Sequence, residues 1–492
     1  MAPLRSPVAH KHNKDDLRMK QPPPNPNNRR IAFALLFGFA LFAVLLSLRP
    51  PAPPASPSSS PLFGTEQIFA FADPKGTLPL DKLIRKRQNS VKKHPQKVDL
   101  WILLGRAWVM KARSSGDAGF YINAQACATL ALQREPRNPL ALTLQGLALI
   151  NNHEFEKARD LANDILQRHP EDQLALAILS DAQLELGRYK EALDAAQKMM
   201  NYKPNLPSYS RMSYLAWLSG RTTDAKELMR KAIDAGRSSR DREPGTWALL
   251  QAALYFWHEG DYEGALAGTQ MALRYFPDYA PALVTHGRVL LSLQRYKEAA
   301  QTLTLAMSRS PQAQTAMFLG DAYSALQQTT DALQAYKKAE TLARQTDLRT
   351  LALLLANQNR QLTGALDAAK AEYSKRQDIY TLDAYAWVLH RTGQSLRARQ
   401  LIEQAMHLNT PDALLWYHAG LIYLACGNTQ KGRSFLLRAQ KQHPHLDPFL
   451  SRETSRALRS FPSNPPHLPT SPTSRPLQPP ALSNSTKEHR TP

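Results

Sequence analysis

Two patterns of apolar and polar positions divide the chain. Ile31 to Leu48 reads IAFALLFGFALFAVLLSL, eighteen residues with no charge and one serine. A core helix of that length would carry a polar stripe, whereas this run is apolar on every side. At 1.5 Å per residue it spans roughly 27 Å, enough for a bilayer hydrocarbon core. Arg29 and Arg30 close one end and Arg49 the other, with Pro50 and Pro51 following at once. From about Val98 the pattern becomes self-similar, with a period close to 34 residues.

The clearest unit runs from Pro139 to Pro170 and is completed by Glu171 and Asp172; within it sit Gly146, Phe155 and Ala158. The next unit keeps the phase with Tyr189, Ala192, Ala196 and Pro204. Gly260-Asp261-Tyr262 with Ala265, Ala272 and Pro277 follow, then Gly287, Tyr296, Ala299, Ala306 and Pro311. Gly420, Gly427, Ala439 and Pro444 mark the last. The positions have a physical logic. Small residues in a first helix let a second approach closely, Gly or a polar residue ends the first, and an aromatic opens the second. Alanine then meets the neighbouring unit, and proline stops the helix.

This pattern resembles the tetratricopeptide repeat, a helix–turn–helix unit of that length. With the apolar run ahead of it, the chain is similar to the bacterial single-pass membrane-anchored members of that class. The resemblance implies an all-α, right-handed solenoid of about ten repeats over residues 98–450, preceded by one transmembrane helix and flanked by disordered Pro-rich segments. Ser114-Ser115-Gly116 reads as a turn inserted in the first unit. The unit from Asp347 to Gln377 lacks the aromatic and the proline, and is the expected weak joint. A basic loop, residues 237–242, separates the fourth and fifth units.

Charge changes the picture only after it is divided by region. The formal net charge is +21, yet fifteen of those charges lie outside residues 98–450, which hold 40 basic and 34 acidic groups. A nucleic-acid binder concentrates its positive charge on the folded body, so no nucleic-acid partner is expected. Residues 1–30 carry seven basic groups against two acidic ones. The positive-inside rule therefore makes 1–30 a cytoplasmic basic disordered tail and 31–48 an uncleaved transmembrane signal anchor. The rival is a cleaved signal peptide, opposed by the long polar lead and by prolines where a cleavage site should lie. Residues 49–80 read as a Pro/Ser-rich linker, 81–97 as a basic lead-in helix and 451–492 as a disordered Pro/Ser-rich tail. Lys82, Arg85, Lys86, Arg87, Lys92, Lys93 and Lys97 read as the solvated face of that helix. The alternative is contact with anionic lipid headgroups or an acidic partner.

The resemblance also implies a concave channel lined by first helices. Its inward positions would include Tyr214, Trp217, Trp247, Trp257, His258, Arg288, Trp387, His390, Arg391 and Tyr417. Rings supply contact area there and cations fix an acidic group, while the competing role for each ring is packing between repeats. A Lys/Asn/Arg clamp for chaperone tails is not seen, since Leu147, Asp181 and Ser210 stand where it would need amides or cations.

Catalytic motifs are missing from the sequence: no HExxH, GxGxxG, Walker loop or GxSxG. Cys127 and Cys426 lie at opposite ends of the array and read as packing residues, and His443 and His445 as surface residues rather than metal ligands. No metal, cofactor or enzymatic activity is expected. The expected function is a membrane-tethered scaffold on the extracytoplasmic side of the inner membrane. It would bind proteins or peptides in its groove and support assembly or recruitment of envelope or secretion components. The alternative is an accessory subunit of a membrane enzyme complex in polysaccharide or respiratory assembly. Homo-oligomerisation stays open.

Overall fold

The computed structural model describes residues 64–237, 241–445 and 448–460. The tail 1–30 and the anchor 31–48 lie outside the described residues, as do most of the linker and of the C-terminal tail. Among the described residues every regular element is an α-helix, and none is long and apolar enough to cross a membrane. Two short helices precede the repeats, α1 (Thr65–Ala70) and α2 (Pro79–Lys93). Ten helix pairs follow. The first five are α3/α4 (Val98–Ser115, Phe120–Leu132), α5/α6 (Pro139–Asn151, Phe155–Arg168), α7/α8 (Gln173–Glu185, Tyr189–Tyr202), α9/α10 (Leu206–Leu218, Thr222–Gly236) and α11/α12 (Arg242–His258, Tyr262–Tyr275). The second five are α13/α14 (Ala280–Ser292, Tyr296–Arg309), α15/α16 (Ala313–Ala325, Thr329–Thr346), α17/α18 (Leu348–Asn357, Leu362–Tyr373), α19/α20 (Ile379–Arg391, Ser395–Ala405) and α21/α22 (Ala413–Ala425, Thr429–Gln442). A last helix, α23, spans Pro448–Ser460. Thus α1 and the start of α2 occupy part of the expected linker, and α23 part of the expected tail; apolar Ala70 and Ile84 are buried against the first pair.

Local chemistry sets the ends of these helices. Seven first helices open with Asn or Asp whose side chain accepts from backbone N–H groups of the first turn: Asn138, Asp172, Asn205, Asp241, Asp347, Asp378 and Asp412. Each such cap contributes about 0.5–2 kcal/mol. Contact is set by one small residue on the first helix. Within a pair, a Cβ on Gly287 or Gly420 would come within 2.6 Å and 2.5 Å of Leu303 and Leu436, and between pairs a Cβ on Gly146 would come within 2.7 Å of Ile178 on α7. Where serine takes that place it bonds to the second helix instead. Ser180 Oγ donates to Ala192 O at 3.0 Å and Ser213 Oγ to Ala225 O at 2.6 Å. The alanine at the fourth position of the second helix, such as Ala158, Ala192, Ala225, Ala265, Ala299, Ala365 and Ala398, is fully buried.

The pairs wind so tightly that the chain meets itself. Residues 181 to 196 apart in sequence are hydrogen-bonded. The turn inside one pair docks on the loop that follows the fifth pair after it. Gln312 Nε2 donates to Gly116 O at 2.6 Å. Gln377 N donates to Glu185 O at 2.8 Å, and Ile379 N to the Tyr189 hydroxyl at 2.7 Å. Thr410 Oγ1 donates to Leu218 O at 2.6 Å, and Gln442 Nε2 to His258 O at 2.6 Å. An open channel along the repeats is therefore replaced by a superhelix whose second turn covers much of the first.

The degenerate pair 347–377, the expected weak joint, is part of this seam. Without a closing proline, its C-terminal end places Arg376 between Glu372, 2.6 Å away, and Glu185, 3.2 Å away. His443 is likewise fully buried rather than on the surface. Its ring lies 4.1 Å from that of Trp257, and its Nδ1 is 2.7 Å from the Tyr262 hydroxyl. Sequence spacing could not reveal this burial, because the covering residues belong to the other turn.

Candidate functional site

The winding leaves a half-open cavity of about 930 Å³, bordered mainly by helices of pairs one, three, four and five and by Tyr380 of α19. Its apolar wall is built from Leu206, Tyr214, Leu215, Trp217, Trp247 and Leu254. Tyr214 stacks on Trp217 at 6.0 Å between centroids, and Trp217 lies 4.6 Å from His258. The helical rise brings these residues together. Leu206, Ser210, Tyr214 and Trp217 recur at three- and four-residue spacing on one face of α9, as do Trp247, Gln251, Leu254 and His258 on α11.

The polar wall carries Arg113, Asp181, Arg211 and Glu243. Arg211 grips Asp181 with two bonds, Nε to Oδ1 at 2.8 Å and Nη2 to Oδ2 at 2.5 Å, so both charges are satisfied. Arg113 is exposed within the cavity and makes no ion pair among the described residues. Burial opposes its charge, but Tyr121, Glu243 and Asp181 outweigh that effect and raise its pKa. Burial raises the pKa of Glu243 against the pull of Arg113, and the Glu243 carboxylate accepts from the Tyr279 hydroxyl at 2.9 Å. Burial drives the His258 imidazole down to about 4 despite Asp412 beside it, so it is neutral near pH 7. A chamber with aromatic walls and an exposed guanidinium can hold a large apolar side chain and accept an anionic group next to it.

Of the residues singled out in the sequence, Tyr214, Trp217, Trp247 and His258 meet at this chamber. Arg288 borders a second, smaller cavity of about 180 Å³ and lies 3.8 Å above the Trp257 ring. The others are packing or bracing groups. Trp257, Trp387 and Tyr417 are at most 1% exposed, because neighbouring helices and the second turn cover them. The Trp387 ring stacks on His418 at 4.4 Å, and its Nε1 donates to Asn357 Oδ1 at 2.8 Å. The Tyr417 hydroxyl donates to His443 O at 3.3 Å, and Arg391 bonds to Glu453 of α23 at 2.9 Å. His390 Nδ1 lies 3.2 Å from Ser395 Oγ.

Arg113, Glu243 and Tyr380 escaped the sequence reading. Arg113 sits directly before the inserted Ser-Ser-Gly, where a cation reads as an ordinary helix end. Glu243 looks like a first-turn acid of α11. Tyr380 reaches the chamber only through superhelical winding and has no local signal. Cys127 is buried, with its thiol pKa raised by that burial, and Cys426 Sγ donates to Ser395 O at 3.2 Å; the two remain free thiols. Among the described residues no group of three or more His, Cys, Asp or Glu is arranged to hold a metal.

Helix pairs stacked around an interior cavity define an all-α repeat solenoid. Two family models match within it: that of the anaphase-promoting complex, cyclosome, subunit 3 over residues 117–199 and a tetratricopeptide repeat over residues 284–347. These two matches support a tetratricopeptide-repeat protein and together cover under a third of the chain. No curated protein matches it. Solved structures match the chain at low identity and low structural similarity. A tetratricopeptide repeat protein from Parabacteroides merdae is 18% identical, with 51% of this chain and 98% of that chain covered and a TM-score of 0.37. Human IFIT1, solved as a dimer with PPP-AAAA, is 13% identical, with 73% and 94% covered and a TM-score of 0.42. Yeast Tom70 is 13% identical, with 72% and 95% covered and a TM-score of 0.31.

Proposed function

We propose that this chain is a non-catalytic scaffold, anchored by residues 31–48 in the inner membrane with residues 1–30 cytoplasmic and the solenoid periplasmic. In this reading it captures a peptide segment of a protein partner and so recruits or assembles envelope or secretion components. The observation that carries the binding role is the chamber, with Trp247 and Tyr214 half-buried along it and the Arg113 guanidinium exposed into it. The segment that fits is one with a bulky apolar side chain next to an Asp, a Glu or a terminal carboxylate. Burying such a side chain contributes about 1.5–3 kcal/mol.

The test is site-specific photocrosslinking from a position beside Trp247 in the full-length, membrane-borne chain. Trp247→Ala or Arg113→Glu should each reduce the crosslinked product by about tenfold or more, the loss of one such contact. Undiminished crosslinking in both variants would remove the chamber as the binding site. Protease added to spheroplasts checks the topology separately, with digestion of the solenoid from outside as the expected result.

A further inference from the structure

Residues 65–93, just ahead of the repeats, are held against the first pair. Gln88 Nε2 donates to Ala70 O at 3.2 Å and to Ala72 O at 2.8 Å. Asn123 Nδ2 donates to Phe69 O at 2.7 Å, and Arg85 bonds to Gly76 O at 2.8 Å and to Asp73 at 2.7 Å. The inner face of α2 is thus committed to the fold, through buried Asp81, Ile84, Gln88 and Val91. Its outer face is not. Leu78, Lys82, Lys86, Asn89 and Lys93 follow one another at three- and four-residue steps and so lie along one stripe. The three lysines and Asn89 are exposed, Leu78 is 66% exposed, and none of the lysines makes an ion pair among the described residues. Like charges at that spacing repel one another, so the stripe is unfavourable for the isolated helix.

We infer that this stripe is a docking surface for an anionic phospholipid bilayer, with Leu78 entering the headgroup layer and Lys82, Lys86 and Lys93 meeting phosphates. A row of three cations headed by an exposed leucine is complementary to a flat, negatively charged, partly apolar surface. Reach allows it. Leu48 lies sixteen residues before Gly64, and that much extended chain spans at most about 58 Å. The inference rests on residues 31–48 bringing the chain to a membrane and adds that the first cap lies against it, setting which side of the superhelix faces the lipid.

The test uses the full chain, with Cys426→Ser and a fluorophore on Asn89→Cys, reconstituted in vesicles carrying a nitroxide headgroup quencher. One set is phosphatidylcholine alone and the other contains phosphatidylglycerol. The Asn89 label should be quenched on anionic vesicles only and released by high salt. A label on Leu333→Cys, which is 64% exposed on α16, is the reference for non-specific approach. Lys82→Glu, Lys86→Glu and Lys93→Glu together should weaken apposition by roughly a hundredfold, while replacing all three by Arg preserves it. Equal quenching on the two vesicle types, or quenching retained in the triple Glu variant, overturns the inference, as does a stripe that binds soluble polyglutamate but not vesicles. Flotation separates the two readings. A chain that fails to float with anionic vesicles refutes both, whereas a chain that floats with the Asn89 label unquenched refutes only the docking surface.

Discussion

At the level of single residues, His258 and His443 join the two superhelical turns as neutral rings, while His390 is held within its own pair. Burial lowers the pKa of His258 to about 4, of His390 to about 4 and of His443 to about 2, against an ordinary value of 6.5. Between pH 6.5 and those values the unfolded chain binds protons that the folded chain refuses, so their contribution to stability is complete above about pH 6.5 and declines as pH falls. Glu185, Glu243 and Asp383 have raised pKa values through burial and contribute with the opposite sign. A comparison of variants isolates the histidine term. The melting temperature of His443→Phe should fall less between pH 7 and pH 5 than that of the parent chain; parallel curves would show that His443 is not buried at the seam. His443 and Arg113 also mark where reading single residues from sequence stops working. Both sit at helix ends, where charged and polar groups are ordinarily solvated, and only the opposing turn makes one a buried plug and the other an inward cation.

Helix pairs were far more legible. The phase of Phe155 and Ala158, or of Tyr296 and Ala299, marks the opening of a second helix, because aromatic and small residues are needed at those contacts whatever the partner chain does. The turn inside each pair demands a left-handed residue, and this gives a clean comparison of local and tertiary cost. Gly260 has φ +82°, and a Cβ there would lie 2.3 Å from Gln442 O; Gly427 has φ +78° and nothing within 4 Å. Gly427→Ala should therefore cost only the backbone penalty of about 1–2 kcal/mol. Gly260→Ala should add a packing penalty of about 1–3 kcal/mol by forcing the turns apart. Urea denaturation measures the difference, and equal costs would mean that the seam is not formed at pair five.

On the scale of the whole molecule, the contacts of pairs one, three, four and five with the loops five pairs later add a second layer of contacts to a one-dimensional stack stabilised by nearest neighbours. The Cβ position of Gly220 lies 4.0 Å from Asn409 Cβ, within the 3.5–4.5 Å span of a disulfide. Gly220→Cys with Asn409→Cys, in a Cys426→Ser background, should form an internal crosslink under mild oxidation and migrate faster on a non-reducing gel. A protein that stays uncrosslinked would have an open solenoid. The sequence by itself determined the helical class, the repeat period and the small and aromatic residues that seat one helix on the next, because those contacts recur every 34 residues or so and act over a single turn of chain. Only the tertiary structure decided the curvature, and with it the chamber, the buried histidines and the role of the degenerate pair. Curvature accumulates from a slight rotation at every interface, and the residues it finally brings together are nearly two hundred positions apart, too far for any local pattern to register.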